Sequence, residues 1–283
     1  MDKNVSILII GGNGTIGTRL IDFLMTNDYR NLRVLDRMSS RRYVPSSIPI
    51  IKKNTLNILA SDFEGTDVVI DLSISAKDTK SIMESTNGSN LCMVRAKESG
   101  VKKYIFASTY YCEGPTIDGE YSNEIPTYGI MKLSSESLLN SLRSEEFLTH
   151  IIRLGCVVGY SIREPRTVVN KMLESAMSHN EIIANNNDII PIVDIRDVCD
   201  SILQILFGFA EDRRFQNIFH SIVPIHSIGH IIRGVLFKLY SKSPSLNLIE
   251  GDRKIEYFPL GYKNPSTKHD IESTVQEILE NKY

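Results

Sequence analysis

The stretch that most constrains this chain is VSILIIGGNGTIG, Val5 to Gly17, where an apolar run ends abruptly in a glycine-rich turn. Val5 and Ile7 to Ile10 have strand-forming side chains, Gly11, Gly14 and Gly17 follow at the spacing Gly-x-x-Gly-x-x-Gly, and Thr18 to Thr26 is amphipathic. That order reads as strand, turn, helix. Glycines permit a tight turn and let backbone approach a ligand without a Cβ in the way. The N–H groups at a helix start then suit a pyrophosphate. An ordinary tight turn uses glycines too, so the context decides. A second apolar run, Leu32 to Leu35, ends in Asp36, nineteen residues after Gly17, where a carboxylate receives the ribose hydroxyls of a dinucleotide.

The polar segment after Asp36 carries Arg37, Arg41 and Arg42 and reads as a loop beside the adenosine end of such a ligand. Three arginines would attract the 2′-phosphate of NADP, but Asp36 at the strand end repels it, so NAD is expected before NADP. Further strands are expected at Ile48 to Lys52, Thr66 to Leu72, Lys103 to Ser108 and Thr149 to Leu154. Helices are expected around Asn90 to Ser99 and Leu133 to Leu142. Strands apolar on both faces that alternate with helices indicate an α/β fold with a doubly wound parallel sheet. Beyond Gly155 the pattern loosens: helices at Val168 to Ser178, Asp197 to Phe209, Ser227 to Tyr240 and His269 to Asn281, and a turn-rich Ser241 to Gly251. We therefore divide the chain into a dinucleotide-binding domain, residues 1–155, and a partly interleaved substrate-binding region, residues 156–283.

Composition narrows the partners. With 283 residues, 42% of them hydrophobic, and 32 basic against 34 acidic side chains, the chain has a sizeable core and no electrostatic footprint for nucleic acid or an anionic membrane. A small molecule is the expected partner. No apolar run is long enough to span a bilayer, and the N-terminal apolar run enters the glycine turn directly rather than forming a signal peptide, so a cytoplasmic protein is expected. Cys92, Cys112, Cys156 and Cys199 match no metal-ligand spacing and read as reduced packing residues. His226 and His230 stand at i, i+4 but lack a third ligand, so no metal is expected. Asp194 and Asp197, just ahead of an apolar helical pattern, read as helix caps rather than as catalytic groups.

Chemistry enters at PTYGIMKLSSE, where Tyr128 and Lys132 stand four apart and share one helical face. A phenol is a poor base near neutrality, with a pKa of about 10, and a fixed positive charge nearby stabilises its phenolate. A tyrosine so tuned takes a proton from a secondary alcohol as hydride leaves, or returns one to a ketone. Upstream, the strand KYIFAS runs into Ser108 and Thr109 at the carboxyl edge of the sheet, where a hydroxyl can hold the reacting oxygen.

Taken together, GGNGTIG, Asp36, DVVIDL, FAST, Tyr128-x-x-x-Lys132, IIRLGCVVG and VDIRDV resemble the extended short-chain dehydrogenase/reductase superfamily, in its NAD-dependent epimerase/dehydratase branch. The resemblance runs from about Val5 to Val198, with weaker echoes at Phe219 to Val235 and Leu260 to Pro265. It implies a Rossmann domain with a smaller C-terminal substrate-binding domain, a tightly held nicotinamide cofactor, substrates that are usually nucleotide-linked sugars, and a homodimer. Carried over, Gly11, Asn13, Gly14, Thr15, Ile16 and Gly17 would hold the pyrophosphate. Asp36 and Arg37 would stand at the adenosine ribose, Asn57 and Ile58 would flank the adenine, and Leu72, Ser73 and Gly155 would line the cofactor cleft. Tyr128 would be the acid/base and Lys132 would bind the nicotinamide ribose while polarising Tyr128. Thr109 would hold the reacting oxygen, and Tyr111 and Arg163 would contact substrate.

Several positions depart from the family pattern. The dehydratases carry Asp-Glu after the threonine, where this chain has Tyr110 and Tyr111, so dehydration by that route is not expected. Tyr111 would share a side with Thr109 if the extended backbone continued. The arginine that grips a substrate diphosphate is replaced at the matching position by Ile190, leaving Arg163, Arg166 or Arg253 for that role. Gly155 stands where proline is usual, and the segment after DVVIDL is short. These departures favour net ketoreduction of a sugar or sugar nucleotide, with a sugar-nucleotide epimerase holding NAD tightly as the alternative. A non-catalytic dinucleotide sensor is the reading from another class, and retention of Thr109, Tyr128 and Lys132 together argues against it.

Overall fold

The computed structural model describes residues 3–37, 43–73, 78–118, 120–122, 125–162, 167–185, 188–208, 215–219, 221–250, 254–257 and 268–282. Arg41, Arg42, Arg163, Arg166 and Arg253, and the echo at Leu260 to Pro265, lie outside them. In chain order the first elements are β1 (Ile7–Ile10), α1 (Thr15–Thr26), β2 (Leu32–Asp36), β3 (Ile50–Lys52), β4 (Val68–Asp71), α2 (Thr79–Glu98) and β5 (Lys103–Thr109). Next come β6 (Thr116–Ile117), β7 (Glu120–Tyr121), α3 (Thr127–Leu142), β8 (Leu148–Leu154), β9 (Cys156–Val158), α4 (Val168–His179), β10 (Glu181–Asn185) and β11 (Ile189–Asp194). The remainder are α5 (Ile195–Leu206), β12 (Phe215–Ile218), β13 (Ser221–Pro224), α6 (Ile225–Tyr240), β14 (Ser245–Ile249), β15 (Ile255–Glu256) and α7 (Ile271–Lys282).

The chain forms two compact units, each made of separate segments. The first comprises Met1–Cys112, Pro126–Arg153 and Cys199–Gln216; the second comprises Glu113–Ile125, Leu154–Val198 and Asn217–Tyr283. A seven-stranded Rossmann-like parallel sheet, in the order β12-β8-β5-β4-β1-β2-β3, organises the first. Its central strands are buried from end to end, as the unbroken apolar runs require when helices cover both faces. On one face Val69, Tyr104, Phe106 and Ile151 pack with Cys92, Met93 and Ala96 of α2 and Leu139 of α3. The long helix α2 starts at Thr79, well before the expected Asn90, because Asp78 and Ser81 form a capping box. Its internal Gly88 is the point where Thr55 packs too closely for a side chain.

The second unit has its own core, in which Met172 and Leu173 of α4, Ile228 and Ile232 of α6, and Val275 and Ile278 of α7 surround Ile182 and Ala184 of β10. It contains a mixed sheet, β13-β11-β15-β6-β7 with β9 also on β11, and a parallel pair β10-β14. The Ser241 to Gly251 stretch is thus not all turn. Ser245–Ile249 pairs residue by residue with Glu181–Asn185, and Leu246 meets the core through Ile182 and Gly229.

Helix α7 is tied down by a buried carboxylate. Asp194 accepts from the N–H of Arg196 (2.7 Å) at the start of α5, is paired with the Arg196 guanidinium, and accepts from the Thr274 hydroxyl (2.5 Å). Asp194 is therefore a structural cap, held below the usual carboxylate range by the hydrogen bonds from Arg196 and Thr274 despite its burial. Thr274 is completely buried, so Thr274→Val is expected to cost about 1–3 kcal/mol, read as a lowered urea midpoint at unchanged slope.

Candidate active site

The glycine turn is built for close approach. Gly11 has φ +79°, in the left-handed region that disfavours a side chain, and a Cβ there would lie 3.2 Å from the backbone of Leu72 and Ser73. At Gly17 a Cβ would come within 2.5 Å of the Gly11 carbonyl oxygen, so helix α1 can seat against the turn only with glycine. The Gly14 N–H donates to Gly11 O (2.8 Å), and Gly14 itself is the N-cap of α1. No side chain caps this helix, and its first turn, which includes Thr15 and Ile16, carries no acidic residue. An anion meets the positive end of the helix dipole there without a competing carboxylate.

Asp36, at the end of β2, is buried and its Oδ2 accepts the Asn13 N–H at 3.1 Å. One carboxylate thereby fixes the second strand to the glycine turn. Arg37 beside it is exposed, as is Asn57. The Ile58 side chain is only 2% exposed and packs in the core with Leu35 and Phe63. Leu72 and Ser73 are half-buried at the end of β4. The Ser73 N–H and hydroxyl both donate to Asp71 Oδ1, at 2.9 and 2.5 Å.

Around the carboxyl end of β5 the structure brings Thr109, Tyr111, Tyr128 and Lys132 together. Thr109 is buried, and its hydroxyl is hydrogen-bonded to the Tyr128 phenol and accepts the Tyr111 N–H (3.3 Å). The condition of an extended backbone past Thr109 is not met, because residues Tyr110–Cys112 form a 3-10 turn. Tyr111 nonetheless reaches the site through that turn, stacked on Tyr110 (centroids 4.1 Å) and edge-on to Tyr128 (6.2 Å).

Tyr128 and Lys132 occupy the first turns of α3, on one face and four residues apart. Lys132 is buried, donates to the Ala107 carbonyl (2.7 Å) and lies over the Phe106 ring, 4.1 Å from its centroid. Burial pulls its ammonium down to about 8, against the opposing pull of Asp71, Cys112 and Glu136. For Tyr128, burial first and the neighbouring Cys112 next push the phenol well above its ordinary value, and the Thr109 hydrogen bond only partly offsets them. The Lys132 ammonium, meanwhile, is engaged by the Ala107 carbonyl. Lysine Cε resonances in selectively labelled protein should show one group titrating near pH 8, far below the ordinary 10.4 or so, and that transition should vanish in Lys132→Met.

Sequence reasoning missed the network that continues along the same helix. Glu136, four residues beyond Lys132, is buried and accepts both Arg153 Nε (2.9 Å) and Nη2 (2.7 Å), the Ser108 hydroxyl (2.5 Å) and the Cys112 thiol (3.5 Å). Arg153 also rests on Phe215, 4.2 Å from the ring. Burial and Glu136 push Cys112 up to about 11, so it is a neutral thiol rather than a nucleophile. The i+4 spacing from Lys132 was the one available signal for Glu136.

Four other positions fall in the second unit. Gly155 donates its N–H to Ile218 O (3.0 Å), and a Cβ there would lie 2.9 Å from Pro191 O and 3.1 Å from Phe219. A proline would lose that hydrogen bond, which accounts for glycine at this position. Ile190 is 8% exposed in the second core, so nothing at position 190 can grip a diphosphate. His226 and His230 stand edge-on at 6.5 Å, and among the described residues no group of three potential metal ligands exists. Nor is any helix among them long and apolar enough to cross a membrane.

A sequence model described as "NAD dependent epimerase/dehydratase family" matches residues 7–217. No curated protein matches. Among solved structures, UDP-glucose 4-epimerase of Thermus thermophilus in complex with NAD is 20% identical, with 97% of this chain and 99% of that one covered at a TM-score of 0.76. UDP-glucuronic acid 4-epimerase of Bacillus cereus, with UDP-glucuronic acid and NAD, is 17% identical over 99% and 100% of the chains at a TM-score of 0.78. The NAD-dependent NDP-hexosamine 5,6-dehydratase TunA of tunicamycin biosynthesis is 19% identical over 98% and 97%, also at 0.76. At these identities the likeness establishes the fold.

Proposed function

From the premise that this chain belongs to the NAD-dependent epimerase/dehydratase family, we propose that it is a nucleotide-sugar epimerase that keeps NAD through its cycle. The observation that carries the chemistry is the Thr109–Tyr128–Lys132 constellation at the carboxyl end of β5, with Thr109 and Lys132 buried and Tyr128 half-buried, in the same unit as the glycine turn. Gly11 to Gly17 would hold the pyrophosphate, Asp36 the adenosine ribose and Lys132 the nicotinamide ribose. Asp36 supports NAD over NADP, because its buried carboxylate opposes a 2′-phosphate. NAD, when bound, supplies an acceptor and later a donor of hydride at a secondary carbinol carbon.

The residues handle the oxygen on that carbon. Thr109 orients it, and Tyr128 exchanges the proton. Desolvation raises the Tyr128 phenol above its ordinary value, which supports proton delivery to a carbonyl oxygen. That favours the reductive half of the reaction and supports net ketoreduction as the second reading. The solved epimerases among the structural neighbours support epimerisation, which needs both halves. For either reading we assign substrate binding to the second unit, with the diphosphate gripped by a residue other than Ile190.

The test is to denature purified protein, identify any dinucleotide released, and then incubate the protein with UDP-sugars deuterated at the reacting carbon. Stoichiometric NAD and conversion with the label retained support the epimerase. Consumption of added NADH with one turnover per equivalent supports ketoreduction, and failure to bind either form of either cofactor overturns both. The homodimer implied by the family resemblance predicts twice the chain mass in light scattering.

A further inference from the structure

One buried acid has no role in the proton exchange at Tyr128. Asp71 ends β4 with no exposed surface, and among the described residues it makes no ion pair with a contacting cation. Its oxygens only accept: Oδ1 takes the Ser73 N–H and hydroxyl, and Oδ2 takes the Tyr104 hydroxyl at 2.9 Å. Three donors converge on its two oxygens.

Its position is informative. In the parallel pairing of β4 with β5, Asp71 stands opposite Phe106, so the two side chains share a face of the sheet. The Phe106 ring is the one that carries the Lys132 ammonium. Asp71 therefore stands on the same face of the sheet as the ring under the buried cation, and its charge favours the protonated lysine. On its other side Asp71 holds Ser73, whose backbone abuts Gly11. The carboxylate thus connects the turn assigned to the pyrophosphate with the lysine assigned to the nicotinamide ribose.

We propose that Asp71 sets the relative affinity of this cleft for oxidised and reduced nicotinamide dinucleotide. The inference rests on the cofactor assignment above. Oxidised nicotinamide carries a positive ring charge that the reduced form lacks. Lys132 alone would disfavour the oxidised form, and a buried negative charge beside Lys132 cancels that repulsion where solvent screens poorly. The consequence is retention of the oxidised form, the state in which a nucleotide-sugar epimerase begins its cycle. Asp71 acts here through Lys132 and Ser73 and is a positioning residue.

The experiment measures dissociation constants for NAD+ and NADH, without substrate, for the parent protein and for Asp71→Asn, Tyr104→Phe and Lys132→Met. Asp71→Asn is expected to weaken NAD+ about tenfold more than NADH, the effect of removing one charge at a partly screened distance. Lys132→Met should shift the ratio the other way. Tyr104→Phe, which removes a hydrogen bond but no charge, should leave it at the parental value. Equal weakening of both forms by Asp71→Asn would mean that Asp71 only shapes the cleft floor, and would overturn the inference. Should Asp71→Asn fail to fold, Lys132→Met decides: a ratio moved toward NAD+ supports the charge balance and an unmoved ratio overturns it. A parent protein that binds neither form overturns the proposed function itself, a different result from a ratio that does not move.

Discussion

Tyr128→Phe is expected to slow turnover of a nucleotide-sugar substrate by about 10²–10⁴-fold, the usual contribution of a positioned acid/base, while cofactor affinity stays within about threefold of the parent. The substitution deletes one oxygen. It leaves the ring that meets Tyr111 edge-on and leaves α3 with its Lys132–Ala107 hydrogen bond. Thr109 keeps its acceptor role toward the Tyr111 N–H. The loss should therefore fall on the chemical step, visible as a lower kcat in single-turnover kinetics with titration calorimetry of the cofactor unchanged. A variant with parental kcat would remove Tyr128 from the chemistry and revive the dinucleotide sensor.

The largest effect on stability is expected from Arg153→Met. The guanidinium is the only cation in contact with Glu136 among the described residues, and both side chains are nearly buried, 13% and 6% exposed. Removing it strands a carboxylate with only the Ser108 hydroxyl and the Cys112 thiol as side-chain donors. The expected cost is about 3–5 kcal/mol, read from urea unfolding at constant slope. Replacing both members by Leu and Met should recover most of that loss, because an apolar pair no longer has charge to desolvate. A single-variant cost below about 1 kcal/mol would show the pair to be solvated after all.

What can be read in the sequence and what cannot divide along a physical line. The glycine turn, the strands of the parallel sheet and the Tyr128–Lys132 face are local patterns, each complete within one element, and the structure contains them. Helix α2 is legible only in its second half because its start is rich in Ser, Thr and Asn, with a glycine inside, and its capping box uses serine where glutamate is the usual signal. Strand β14 and the two-residue strands β6 and β15 exist through partners far away in the chain: Thr116–Ile117 pairs with Ile255–Glu256, too short a stretch to show a period. The same holds in the site. Glu136 has a visible spacing on α3, but Arg153, which makes it an ion pair, comes from strand β8. Ile58 stands out in the sequence only through a motif, and the packing of its side chain with Leu35 and Phe63 depends on tertiary contacts.

The discontinuous make-up of the first unit bears on how the protein is made. Strand β8 ends at Leu154, yet its neighbour on the sheet edge, β12, begins only at Phe215, after β9 to β11 and α5 have been translated. A ribosome adding ~5–20 residues per second leaves that edge open for several seconds, with its hydrogen-bonding groups unpaired. Arg153 sits on that same edge strand and waits for Phe215 as well. The nascent chain thus emerges with helix α3 complete and its sheet unfinished, which makes this interval the time at which a chaperone, or a neighbouring nascent chain, has a strand to bind. Any truncation after β8 would make that interval permanent.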